Sequence, residues 1–210
     1  DADMPAPDNA LESSAPETLV LEGPEKLPKS LRKLIEDGSV KTESTSGNGI
    51  IRLPAGVILV ISNGKSSAKL STELEETVIS LDLCLDFEKS SRIVLAPASD
   101  CPEKALQESV GLFQSLGKQV SVLKDIPGIV LVRTVAMLAN EASLLVQEEV
   151  ADAAGVNLAM RKGANYPQGT LEWAEQWGFS SVVETLENLR EIYGERYQTS
   201  HWLQQKAKIN

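Results

Sequence analysis

Residues 156–178, VNLAMRKGANYPQGTLEWAEQWG, decide how the back half of this chain folds. Leu158 and Met160 belong to a short helical pattern that breaks at Gly163. Tyr166-Pro167 and Gly169 then force a tight, non-helical connection, because proline fixes φ and glycine can take a positive one. A second helix restarts at Leu171 and carries Trp173 and Trp177 four residues apart, hence on one face. Two helices pinned by a Tyr-Pro-x-Gly corner over a tryptophan stripe make a packing unit of definite shape.

Working outward, Asp125-Ile126-Pro127-Gly128 introduces a stretch, 129–150, that is apolar nearly all round and predicts a buried central helix. Arg133, Met137, Asn140 and Leu144 share one stripe of it, and Arg133 is expected to pair with a carboxylate. Before residue 125 the pattern changes. Strand-like pieces at 18–22, 40–45, 50–53, 57–61, 78–85, 92–96 and 119–123 alternate with helical patterns at 24–37 and 102–116. That alternation predicts an α/β sheet over 18–125 and an all-α domain over 126–210. Seven of the nine aromatic residues lie at or beyond Tyr166, which agrees with a boundary between the two. Residues 1–17, rich in Pro, Asp, Ala and Ser, read as a flexible linker or tail. The chain opens at Asp1 without Met and is expected to be a piece of something longer.

Composition limits the function. A formal charge of −10 and a pI near 4.7 leave nothing to neutralise a row of phosphates, so nucleic acid is not an expected partner. Cationic stretches at 29–33 and Arg161-Lys162 read as solvated helix faces. No apolar run has bilayer-spanning length, so no membrane association is expected. Cys84 and Cys101 lack metal-ligand spacing, no metal site is expected, and a reducing cytoplasm suits two idle thiols.

The corner and its flanks resemble the C-terminal helical domain of the NAD-dependent 3-hydroxyacyl-CoA dehydrogenases. There a segment of the type D-x-A-M-x-x-G-x-x-Y-P-x-G-P-L-x-W-x-D follows a long helix introduced by P-G. The matching residues are Ala159-Met160, Gly163, Asn165-Tyr166-Pro167, Gly169, Leu171 and Trp173, with Pro127-Gly128 upstream. Asn157, Thr170 and Glu175 depart from the Asp, Pro and Asp more usual in the family. The likeness continues through Asn140-Glu141-Ala142 to Tyr193-Gly194-Glu195-Arg196-Tyr197, Ser200, Trp202 and Leu203.

Such a dehydrogenase carries a nicotinamide-binding sheet ahead of this domain, and the sheet of this chain lacks the parts that bind and oxidise. Its phosphate loop would be G-x-G-x-x-G between strand and helix. Gly47-Asn48-Gly49 has Arg52 at the third glycine position, and Gly64-Lys65-Ser66 has Leu59 where a P-loop's leading glycine would stand. Ordinary turns are expected at both. The proton-accepting His of the family would fall at Pro97, and the Asn before Arg133 is Val132. His201, the one histidine, reads as a surface residue. The front half therefore resembles the reduced Rossmann-like domain of the long, internally duplicated members, in which a complete catalytic unit comes first.

The resemblance implies a reduced Rossmann-like sheet followed by a C-terminal-type helical domain, as the last part of a β-oxidation dehydrogenase. No catalytic or cofactor-binding residue is expected in this chain; NAD would be held by an upstream domain. Arg133, Asn140, Asn165 and Tyr166 are candidates for an acyl-CoA cleft. For Asn140 the alternative is a bridge to backbone at the Tyr166-Pro167 corner, since a buried amide left unsatisfied costs about 1–3 kcal/mol. Pro127, Gly128, Gly163, Pro167 and Gly169 are expected to shape the backbone. Trp173, Trp177 and Phe179, followed by Val182, Val183, Leu186 and Leu189, offer apolar surface for pairing with a second copy or with the upstream domain. The other reading is a non-catalytic dimerisation or scaffold module.

Overall fold

The computed structural model describes residues 12–209, which form two compact units: 12–62 with 66–126, and 63–65 with 127–209. Seven strands build the first: β1 (Thr18–Glu22), β2 (Lys41–Thr45), β3 (Ile50–Leu53), β4 (Val57–Ile61), β5 (Thr77–Leu81), β6 (Arg92–Pro97) and β7 (Gln119–Val122). They make one mixed sheet in the order β2-β1-β3-β4-β5-β6-β7. Its parallel pairs, β1/β2, β4/β5 and β6/β7, enclose the helices α1 (Lys29–Glu36), α2 (Ser67–Leu74) and α3 (Glu103–Ser115) in turn.

The central strand shows why its sequence is apolar without alternation. Val57 and Leu59 of β4 join a core with Leu31 and Ile35 of α1 and Phe113 of α3. Ile58 points the other way, against Val78 of β5 and Leu70 of α2. A strand covered on both faces has no polar side to show.

Three expectations change in this unit. Pro28 divides the stretch 24–37 into a 3-10 turn, Pro24–Lys26, and α1, because proline has no N–H to continue a helix. The strand expected at 78–85 stops at Leu81, and α2 has no counterpart among the expected elements. In the stretch 1–17, residues 1–11 lie outside the described residues, while 13–16 do not behave as a linker. Pro16 is buried, the Ser13 N–H donates to Gln114 (2.9 Å), and the Ser14 carbonyl lies 2.2 Å from where a Cβ on Gly111 would stand. The missing side chain at Gly111 lets this segment lie on α3.

The second unit is helical: α4 (Leu131–Gln147), α5 (Ala153–Gly163), α6 (Thr170–Trp177), α7 (Phe179–Tyr193) and α8 (His201–Ile209). Ala136 and Ala139 of α4 and Ala174 of α6 pack with Val182, Leu186 and Leu189 of α7 and Leu203 of α8. Small residues on α4 and α6 bring the helix backbones close. α4 is not buried all round: Leu131 and Leu145 are exposed on its outer face beside Thr134 and Glu141. The short segment 63–65 belongs to this unit. The Asn63 amide donates to Glu184, the Asn188 amide donates to the Asn63 carbonyl, and a Cβ on Gly64 would fall 2.7 Å from the Thr185 carbonyl oxygen.

Candidate functional site

At the α5–α6 corner, α5 ends at Gly163 and the chain turns through Asn165 at φ 55°. Asparagine tolerates that left-handed conformation better than most residues. The Tyr166 ring meets Trp173 at 5.3 Å between centroids. Asn165 and Pro167 are exposed and Tyr166 is half-buried.

Two contacts that have no signature in the sequence hold the corner. The Oδ1 of Asn157, buried on α5, accepts from the Leu171 N–H (3.0 Å) in the first turn of α6. An orphan donor at a helix start is thereby satisfied from a different helix. Gly169 must be glycine, because a Cβ there would lie 2.3 Å from that same Oδ1. Below it, Arg161 pairs with Glu172, whose other oxygen accepts from the Gly169 N–H (2.8 Å). The Arg161 guanidinium, and after it that N–H, hold the Glu172 carboxyl below its ordinary value.

Asn140 is 2% exposed and bonded at both ends: its amide donates to the Gln198 carbonyl and its oxygen accepts from the Ser200 N–H, both at 2.9 Å. It bridges backbone, but that of the segment leading into α8 rather than the Tyr166-Pro167 corner. Ser143 and Ser200 extend the network at 2.6 Å. Both polar atoms of the Asn140 side chain are thus engaged in holding the segment that leads into α8. Arg133 does not pair with a carboxylate. It donates to the Pro127 carbonyl (2.7 Å) and lies over the Tyr193 ring at 4.4 Å, with its Nε buried and unpartnered. Cation–π contact replaces the ion pair because the ring is the neighbour α7 provides. Gly128, at φ 75°, completes the turn beneath Arg133.

Of the residues expected to form an interface, Phe179 is buried within the helical unit, edge-on to Trp202 at 5.8 Å. Val182, Leu186 and Leu189 are wholly internal. Five helices supply more cover than the sequence implied, which leaves Trp173, Trp177 and Val183 of that set half-exposed.

In the sheet unit, the turn from β4 leads into the amino end of α2. The first N–H groups of α2, those of Ser67 and Ala68, donate to the two carboxylate oxygens of Asp125 at 2.7 and 2.8 Å. The end of the helix that favours an anion already faces one from its own chain. Behind it, the Ser67 Oγ lies 2.7 Å from both Ser80 Oγ and the Ala96 carbonyl. Gly47-Asn48-Gly49 lies in the turn between β2 and β3. Pro97 closes β6 opposite Ile79, and His201 is exposed at the start of α8. Among the described residues no cluster of His, Cys, Asp and Glu could hold a metal, and no helix is long and apolar enough to cross a membrane.

Two family models match the chain. Residues 59–127 match the 3-hydroxybutyryl-CoA dehydrogenase reduced Rossmann-fold domain, and residues 128–210 the 3-hydroxyacyl-CoA dehydrogenase C-terminal domain. A 3-hydroxyadipyl-CoA dehydrogenase of Escherichia coli is 35% identical over 155 residues, covering 73% of this chain and 32% of that protein. A 3-hydroxybutyryl-CoA dehydrogenase of Bradyrhizobium diazoefficiens is 30% identical over 89 residues, 42% of this chain and 30% of its own length. The crystal structure of an Escherichia coli 3-hydroxybutyryl-CoA dehydrogenase superposes with a TM-score of 0.71 at 33% identity, covering 76% of this chain and 33% of that one. The chain thus spans about a third of the length of each of these relatives.

Proposed function

Since the chain belongs to the 3-hydroxyacyl-CoA dehydrogenase family through both of its units, we propose that it is the C-terminal portion of a cytoplasmic, NAD-dependent enzyme of the β-oxidation type. Its reaction would convert a 3-hydroxyacyl-CoA and NAD to the 3-oxoacyl-CoA and NADH. The nicotinamide site and the catalytic base would be held by a domain outside this chain. This portion would contribute association surface and a wall of the acyl-CoA cleft, for which Arg133, Asn140, Asn165 and Tyr166 are the candidate side chains.

The observation that carries this reading is the Asp125 carboxylate at the amino end of α2. A pyrophosphate placed there would meet a fixed negative charge instead of free N–H groups. Pro97 at the histidine position supports it too, since its side chain can neither take nor give a proton. Titrating the chain with NADH and following nicotinamide fluorescence tests the reading. A flat response is expected, and saturable binding at micromolar concentrations would overturn it.

A second reading, a helical association module without catalysis of its own, is favoured by the uncovered apolar residues Leu131, Leu145 and Leu158 on α4 and α5. The two part on acyl-CoA. A contributor to the cleft should perturb the Tyr166 and Asn165 signals on adding an acyl-CoA, whereas a pure association module should leave them unmoved.

A further inference from the structure

At the end of the sheet where β6 begins beside β7, a cleft of about 590 Å³ is lined by Arg92, Lys118, Gln114, Gln119, Ser115 and Ser13, with Val120 and Glu12 completing its wall. We propose that this cleft binds a small oxyanion, a phosphate or carboxylate headgroup, with Arg92 and Lys118 as its counter-charges. No feature of the dehydrogenase reading assigns a role to it.

Among the described residues the positive charge lining this cleft is not cancelled by a carboxylate. Lys118 is 9% exposed, and among the described residues its Nζ donates to the carbonyl oxygens of Glu88 (2.8 Å) and Ser90 (2.7 Å). The acidic side chains of that loop are spent elsewhere: Glu88 on Lys33 at 2.6 Å and Asp86 on Lys89 at 2.9 Å. Arg92 donates to Ser121 Oγ and Gln119 Oε1, both at 2.7 Å and both neutral. Glu12, exposed at the rim, pairs with neither cation. Among the described residues neither of these two cations, one of them almost wholly buried, has a carboxylate partner, in a chain whose net charge is −10. Buried charges are ordinarily paired.

Geometry adds preorganisation. Each cationic head is already fixed by two hydrogen bonds, so a ligand would not have to immobilise it. Neither head is exhausted, because an ammonium carries three N–H donors and a guanidinium five. The planar guanidinium suits an oxyanion of either kind, and the cleft has room for a headgroup with an organic remainder.

Nitrogen-15 NMR titration of the chain with inorganic phosphate, and separately with succinate, tests this at constant ionic strength with chloride as the balancing salt. Saturable shifts are expected at Arg92, Lys118 and Gln119, and the anion that saturates at the lower concentration identifies the headgroup. Arg92→Gln should weaken binding about tenfold or more, the loss of a charge-assisted contact. Arg92→Lys keeps the charge and should lose less, which guards against a misfolded Gln variant. Lys162→Gln, on an exposed helix end of the other unit, should leave binding unchanged. Failure of both anions to saturate, shifts that chloride alone reproduces, or unchanged binding in folded Arg92→Gln would each overturn the proposal.

Discussion

Asn157 sits where the family more often has aspartate, and the structure shows why either residue serves. Its task is to accept from the Leu171 N–H at 3.0 Å, and both side chains end in an oxygen at the right reach. Asn157→Ala removes the acceptor and leaves a buried donor unpaired, so it should cost about 1–3 kcal/mol. Asn157→Asp should stay near the wild type, and urea unfolding of both variants checks the contrast. Gly169→Ala should also destabilise, by about 1–3 kcal/mol, because its Cβ would collide with that oxygen at 2.3 Å. The double variant Asn157→Ala/Gly169→Ala should then cost less than the sum of the two. At this scale the sequence revealed which positions are special but not what they touch. Gly169 stood out as glycine in a corner, whereas its reason is a side chain twelve residues earlier on another helix.

The ion pair of Arg161 with Glu172 fastens α5 to α6 and carries a definite pH signature. Because the Glu172 carboxyl is held below its ordinary value near 4.5, its contribution is fully present above that pH. It is lost as pH falls through the lower folded value. Melting temperatures of the wild type and Arg161→Gln should therefore differ at neutral pH and converge in acid. At the amino end of α2, Asp125→Ala should loosen the first turn, costing about 0.5–2 kcal/mol as other lost caps do, with faster amide exchange at Ser67 and Ala68. Strands were the readily legible elements, since 18–22, 50–53 and 57–61 carry enough β-branched and aliphatic residues to declare themselves. α2 was not: its eight residues, SAKLSTEL, contain a single buried large apolar side chain, Leu70. It exists because β4 and β5 are parallel and need a crossover, and because an aspartate 58 residues further along closes its end.

At the scale of the chain, the division near residue 126 could be read from where the aromatics gather, but the place of 63–65 could not. Nothing local in Asn-Gly-Lys announces that Gly64 abuts the Thr185 carbonyl; that follows only from long-range packing. The apolar side chains left open are only partly those expected. Phe179 and the α7 leucines fill the helical core, Trp173 and Trp177 stay half-exposed, and further uncovered apolar side chains include Leu131, Leu145 and Leu158. Sedimentation at increasing concentration should therefore show self-association that Leu145→Glu weakens and Val183→Thr does not. Both cysteines fall in the sheet unit, and burial raises both thiols, Cys101 to about 11. Both thiols are half-exposed but few of their sulfurs are ionised near neutrality, so a maleimide should react slowly with the folded chain and faster when that part of the protein opens. The helical part has no cysteine to alkylate, and the rate of maleimide uptake therefore offers a clock for transient opening of one half alone.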